Sequence, residues 1–187
     1  MNIILFGPPG AGKGTQSQNI VKKLNLHQVS TGDLLRAEIK NKSVIGKEIE
    51  EIISKGDFAT DDVVNKLIKN IVFDPQKKDK LIFDGYPRSL NQAKNLDLLL
   101  DSSNQKIDFI FFLNVNKDTI IKRVEKRKII EKRLDDDLNT FVKRYDTYME
   151  TTKPVLDFYS KNPNFYEING GEEISVISSK IDQILSV

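Results

Sequence analysis

Hydrophobic residues follow two rhythms along the chain. Short unbroken apolar runs stand at Ile3-Ile4-Leu5-Phe6, Leu81-Ile82-Phe83, Phe109-Ile110-Phe111-Phe112-Leu113 and Phe165-Tyr166-Glu167-Ile168, each of strand length and rich in β-branched or aromatic residues. A shorter apolar stretch lies just ahead of Ser30. Between the runs, apolar positions return every three or four residues, the period of a helix buried on one side. Ile20, Val21 and Leu24 do so after the first run, Leu90 to Leu100 after the second, and a stretch from Asp118 after the third. Ile174, Ile177, Ile181 and Ile184 close the chain in the same way. Strands alternating with helices predict an α/β protein. One interval departs from the alternation. From 30 to 72 three helical patterns follow one another with no strand between them: one after Ser30, one from Val44 to Lys55 ended by Gly56, and one from Thr60-Asp61-Asp62 to Val72. They predict an inserted helical subdomain, closed by Asp74-Pro75. A long pattern from Asp135-Asp136-Asp137 to Tyr159 contains Pro154, which is expected to kink or interrupt it because proline lacks a backbone N–H.

The first apolar run leads into Gly7-Pro8-Pro9-Gly10-Ala11-Gly12-Lys13-Gly14-Thr15, and the first helical pattern follows at once. Strand, glycine loop and helix together form the context of a phosphate-binding loop. Successive backbone N–H groups point into a concave nest, and the helix N-terminus adds positive potential. Glycine leaves no Cβ between peptide and phosphate, and Lys13 supplies a mobile charge for the terminal phosphates. The usual loop has Ser or Thr directly after the lysine, where the hydroxyl meets Mg²⁺. Here Gly14 holds that position and Thr15 follows.

With 187 residues the chain is long enough for one domain with a sheet covered on both faces. A net charge of +2 gives no support to nucleic acid or an anionic membrane as partner. The absence of cysteine removes disulfides and thiolate zinc sites. The first strand begins with no signal peptide ahead of it, and no apolar run approaches the eighteen residues of a membrane span, so a cytoplasmic protein is expected. Among the 29 basic residues only six are arginine: Arg36, Arg88, Arg123, Arg127, Arg133 and Arg144. A chain that uses lysine for generic charge reserves the planar, bidentate guanidinium for other work, and phosphate contact is the leading candidate. Surface ion pairs would leave the same composition.

Several positions sharpen that reading. Ser30 and Asp33 read as a helix start, which would place Arg36 on the first turns of a helix beside the sheet. Asp84 ends an apolar run, where α/β sheets bind ligands, and it could order the waters of a nucleotide-bound Mg²⁺ or serve as a plain turn acid. Gly85 and Arg88 follow in a loop leading to the next helix. Arg123 and Arg127 share a helix face, and Arg133 and Arg144, eleven residues apart, return to nearly one face of the next helix. Such crowding of like charge makes sense if a polyphosphate arrives between them; a solvated face paired with aspartates is the plainer alternative. The coil from Asp101 to Lys106 reads as a tolerant surface loop, and His27, the only histidine, as a surface residue.

The spelling Gly-Lys-Gly-Thr-Gln, with Ser-Thr-Gly-Asp-Leu-Leu-Arg from Ser30 and Phe-Asp-Gly-Tyr-Pro-Arg from Phe83, resembles the nucleoside monophosphate kinases, above all adenylate kinases, from Ile3 to the last helix. The resemblance implies a P-loop three-layer fold with a central five-stranded parallel sheet, helices on both faces, a monophosphate-binding insertion at 30–72 and a short lid at 128–133. The core would then be 1–29, 73–127 and 134–187. It implies ATP held by Gly10, Ala11, Gly12, Lys13, Gly14, Thr15, Arg123, Arg127 and Gly170. AMP would be held by Thr31, Arg36, Ile53, Gly85, Arg88, Gln92, Arg133 and Arg144, with Gln92 reading the base. Lys13, Arg88, Arg123, Arg133 and Arg144 would act on the transferring phosphoryl group. Mg²⁺ would come with ATP, and zinc would have no place, since the lid is the short kind. The implied reaction is Mg-ATP plus AMP giving two ADP, by a monomer. Kinases for UMP and CMP usually carry alanine in place of Thr31 and asparagine in place of Gln92, so both positions favour AMP; a nucleotide-binding switch without transfer activity is the reading from another class. The lid sequence Lys128-Ile129-Ile130-Glu131-Lys132 lacks the glycines usual at the ends of short lids.

Overall fold

The computed structural model describes residues 1–54, 57, 59–131 and 138–187. Among them β1 (Ile3–Phe6), β2 (His27–Ser30), β3 (Leu81–Asp84), β4 (Phe109–Asn114) and β5 (Phe165–Asn169) form one sheet in the order β2-β3-β1-β4-β5. All pairs are parallel. The continuous apolar runs have a direct cause, which is burial on both faces. Ile4, Phe6, Leu81, Phe83 and Ile110 join one core cluster, whereas Ile3, Leu5, Ile82, Phe111 and Leu113 join the other. β2 is an edge strand, and its one buried residue is Val29, while His27 is exposed as its sequence context suggests.

Helices cover both faces. The first cluster takes up residues of α4 (Asp61–Val72), α5 (Leu90–Ser102) and α8 (Lys153–Tyr159), together with Leu35 of α2 (Thr31–Lys40) and Ile49 of α3 (Val44–Ser54). The second cluster takes up Ile20 of α1 (Lys13–Leu24), Ile120 and Val124 of α6 (Lys117–Glu131), Phe141 of α7 (Leu138–Thr147) and Ile177, Ile181 and Leu185 of α9 (Ile174–Leu185). The fold is therefore the α/β arrangement that the alternation predicts, with the three layers and the five-stranded parallel sheet that the resemblance implies.

The insertion from α2 to α4 is built by caps and close packing. Ser30 caps α2, its hydroxyl accepting from the Asp33 N–H at 3.3 Å, and Ser43 caps α3 by accepting from the Gly46 N–H at 2.9 Å. A Cβ on Gly46 would lie 2.0 Å from the Glu38 carbonyl oxygen, so α3 crosses α2 at a point where only glycine fits. The expected cap at Gly56 lies outside the described residues. Thr60 stands at the N-cap of α4 but makes no side-chain cap bond; Asp61 turns to α5 instead.

Two other sequence expectations change. The stretch 101–106 is not a free surface loop, because Gln105 is buried and ties the sheet together. Its amide donates to the Val72 carbonyl at 3.0 Å and to Ser103 Oγ at 2.9 Å, and it accepts from the Asp79 N–H at 2.8 Å and from Asn2 Nδ2 at 3.3 Å. Asn2 Oδ1 in turn accepts from the Leu81 N–H at the start of β3. The long helix before Tyr159 is not broken at Pro154 itself. It widens into a π-helical turn over Tyr148–Thr152, immediately ahead of the proline. Pro154 cannot donate to the fourth residue before it, and the preceding turn opens to a five-residue spacing, with the Lys153 N–H reaching the Tyr148 carbonyl.

Candidate functional site

Parallel register brings the carboxyl ends of the strands to one edge. Asp84 pairs in register with Leu5 on one side and Ser30 on the other, so the phosphate-loop candidate after β1, the start of α2 and the loop after β3 emerge together. Open sheets of this kind bind ligands at that edge.

The loop from Gly7 to Thr15 holds its curve with left-handed backbone at Gly10 (φ 80°) and Gly12 (φ 92°). Gly10 has a second reason to lack a side chain: its Cβ would meet Ile120 Cγ2 at 2.8 Å and Val124 Cγ2 at 2.9 Å, the residues that seat α6 against the loop. α1 starts at Lys13, so its N-terminal peptides face the loop's hollow. Lys13 Nζ folds across this hollow and donates to the carbonyls of Gly7 (2.7 Å) and Pro8 (3.0 Å). Ala11 lies beneath, buried, while Gly14 and Thr15 are exposed at the rim.

A second group comes from β3 and its loop. Gly85 has φ 68°, and its carbonyl accepts from Arg88 Nε at 2.7 Å and Thr31 Oγ1 at 3.2 Å. A Cβ there would stand 3.4 Å from Arg88 Nη2 and 3.9 Å from Lys13 Cε, so this glycine lets the two cations approach one space. Asp84 sets a counter-charge beside them. Its Oδ2 accepts from Gln28 Nε2 at 3.0 Å and lies 3.8 Å from where a Gly14 Cβ would be. Burial raises the Asp84 carboxyl, against the pull of Lys13 and the Gln28 hydrogen bond. The cations respond oppositely. Burial lowers Lys13 to about 8 against the pull of Asp84, with Arg88, Arg144 and Arg127 adding repulsion. Burial also brings Arg88 down to about 10, with Arg144 next in effect, and it stays charged at neutral pH. The result is a well that gathers the charges of Lys13 and Arg88 beside the Asp84 carboxyl, a setting that suits a polyphosphate.

The other expected residues fall at graded distances from this centre. Arg36 pairs with Asp33 at 2.5 Å on the exposed side of α2, yet its charge reaches Arg88. Arg127 and Arg144 act on Lys13 through space. Arg123 is engaged with backbone: Nη1 donates to the Gly170 carbonyl at 2.8 Å and the Ala11 carbonyl at 3.3 Å, and Nη2 to the Glu172 carbonyl at 3.3 Å. It clamps the turn after β5 to the loop. Gln92 is buried at the start of α5, its Oε1 accepting from the Arg88 N–H at 2.8 Å. Ile53 sits on α3, packed against the first core cluster. Arg133 lies outside the described residues.

Three residues that the sequence reading did not single out for the site belong beside it: Gln28 on Asp84, Asp61 on Gln92, and Thr152, whose hydroxyl donates to the Arg88 carbonyl at 3.1 Å. No local pattern announces them, because each acts across at least 31 residues of sequence. Among the described residues there is no group of three or more His, Asp or Glu side chains able to hold a metal ion, and no helix long and apolar enough to cross a membrane.

A parallel α/β sheet with a glycine phosphate loop after β1 and a cationic well facing it places the molecule among the P-loop nucleotide-binding proteins. Comparison with known proteins narrows the class. The family model described as Adenylate kinase matches residues 5–164. The chain is 49% identical to the adenylate kinase of Pelagibacter ubique, with all of both chains covered, and 38% identical to that of a Caulobacter species over 100% of this chain and 99% of the other. It is 40% identical to the adenylate kinase of Mycoplasma capricolum over 90% and 91% of the two chains. The chain belongs to the adenylate kinase family, and hence to the nucleoside monophosphate phosphotransferases.

Proposed function

We propose that the protein transfers the terminal phosphoryl group of Mg-ATP reversibly to AMP, giving two ADP and so balancing the adenine nucleotides. The observation that carries this reading is the meeting of Lys13 and Arg88 over Gly85. Lys13 comes with the loop after β1, suited to a donor's phosphates; Arg88 comes with the loop after β3, suited to an acceptor's phosphate. Two anion sites sharing one well can bring a donor and an acceptor phosphate into line, which a single-site switch cannot do.

In this reading Gly10 to Thr15 cradle the ATP phosphates, with Arg123, Arg127 and Gly170 on the donor side. Thr31, Arg36, Ile53, Gly85, Arg88 and Gln92 form the AMP side, within the 30–72 insertion and the loop after β3. Lys13, Arg88, Arg123, Arg133 and Arg144 neutralise charge on the phosphoryl group in flight. The attacking oxygen belongs to a phosphate whose second pKa is about 6, so it is ionised near neutral pH and needs no general base. Catalysis is then alignment and electrostatic stabilisation. Mg²⁺ carried by ATP would neutralise polyphosphate charge, and Asp84, beside Gly14, is the carboxylate that would hold its hydration shell. Residues 128–133, which continue the end of α6 and run past the described residues, would serve as the short lid that excludes water. A monomer working in the cytoplasm completes the reading.

Initial rates of ADP formation from Mg-ATP with AMP, UMP, CMP and GMP test it. Preference for AMP is expected, and absence of transfer to AMP refutes it.

A further inference from the structure

Gln92 is 3% exposed, and both ends of its side-chain amide are committed. Oε1 accepts from the Arg88 backbone N–H at 2.8 Å, and Nε2 donates to Asp61 Oδ1 at 2.6 Å. Neither partner can change role. A backbone N–H only donates, and a carboxylate only accepts. If the amide were turned round, oxygen would face carboxylate and N–H would face N–H, and both bonds would be lost to like-with-like contacts. Asp61 is itself pinned, since its Oδ2 accepts from Ser89 Oγ at 2.9 Å and Asn91 Nδ2 at 3.2 Å. Ser89 also caps α5, accepting from the Gln92 N–H at 3.1 Å. The orientation of the amide is thus dictated from both sides.

An amide has two N–H groups and two oxygen lone pairs. With one of each spent, one donor and one acceptor remain, in a fixed order. Adenine presents an amino donor beside a ring-nitrogen acceptor. Hypoxanthine has the same shape but presents an oxo acceptor beside an N–H donor. One orientation of the amide can match only one of these patterns; the other needs the amide reversed. We infer that Asp61 is a positioning residue that locks the Gln92 amide and thereby makes the acceptor site select 6-aminopurine over 6-oxopurine monophosphates. This rests on the proposed function, in which Gln92 faces the acceptor's base. It also gives the first turn of α4, on the inserted helices, a part in specificity, although Asp61 need not touch the nucleotide.

The test compares kcat and KM for AMP and IMP, with Mg-ATP as donor, in the parent, Asp61→Ala, Asp61→Asn, Gln92→Ala and the Asp61→Ala/Gln92→Ala double variant. In Asp61→Ala the AMP:IMP ratio of kcat/KM should fall at least about tenfold, chiefly through KM for AMP, with kcat within about threefold of the parent. Asp61→Asn keeps the shape of the carboxylate but can donate to a reversed amide, so it should shift the ratio the same way even where the alanine variant folds poorly. In the Gln92→Ala background, removing Asp61 should change the ratio by less than about twofold, because the effect is coupled through the amide. An unchanged ratio in both single variants, or an equal shift with and without Gln92, overturns the role of Asp61 alone. A parent that does not phosphorylate AMP overturns this role together with the function on which it rests.

Discussion

Above pH 8 Lys13 should lose its charge in the empty protein and keep it when a polyphosphate is bound. In the free site the ammonium titrates at about 8, held down by burial and by Arg88, Arg144 and Arg127. A bound triphosphate sets several negative charges against it and restores the protonated form. A group with a pKa of 8 is about half protonated at pH 8 and about one-tenth protonated at pH 9. ATP binding at pH 9 should therefore take up about 0.9 proton, and Kd should rise about fivefold between pH 8 and pH 9. The phosphates themselves, with a second pKa near 6, are already ionised across this range and add no proton change. Calorimetric titration with ATP in two buffers of different ionisation enthalpy measures the uptake directly, and Lys13→Met supplies the control. A Kd that stays flat from pH 8 to pH 9, or an uptake that persists in Lys13→Met, would refute the argument. Folding feels the same shift with a definite sign. Unfolded Lys13 titrates near 10.5, so between pH 8 and 10.5 the unfolded chain binds the extra proton, and stability should rise with pH across that window relative to Lys13→Met.

Two further outcomes follow from geometry. Arg88→Lys keeps the charge but loses the guanidinium whose Nε holds the Gly85 carbonyl, and kcat should drop at least about tenfold; steady-state rates equal to the parent's would remove Arg88 from the reaction. Gly46→Ala drives a Cβ to 2.0 Å from a backbone oxygen of α2, so denaturant unfolding should show a loss of about 2 kcal/mol or more, and a stability equal to the parent's would mean that α2 and α3 separate without cost.

What the sequence makes legible here is what depends on neighbours in the chain. The glycine loop is spelled out because its backbone angles, its close approaches and its lysine all act within nine residues. β1, β3 and β4 are legible because a strand buried on both faces cannot hide its apolar run, whereas β2, with a single buried residue at the sheet edge, shows only as a short stretch before Ser30. Ser30 signals its own cap. Gln105 gives no such signal. It looks like a loop residue beside Asn104 and Lys106, and its partners Asn2, Val72 and Asp79 are 103, 33 and 26 residues away. Asp61 misleads for the same reason: an acid in the first turn of a helix reads as a cap, while its bonds go to residues of α5. Pro154 signals a disturbance but not its form, because the missing donor is repaired in the turn before it. The arginines are legible as a set, and the network that aims Arg88, through Gly85, Gln92 and Thr152, is not.

The wide turn at Tyr148–Thr152 gives the helical arm a fulcrum. Thr152 is fastened to the Arg88 carbonyl and Tyr148 is buried, so the base of the arm moves with the sheet. Arg144 stands eight residues further out, about 12 Å along a helix axis. A tilt of about 10° at that base would swing Arg144 through about 2 Å, a large part of the length of a hydrogen bond. The wide turn ahead of the proline is thus the place where a small rotation would be magnified at Arg144.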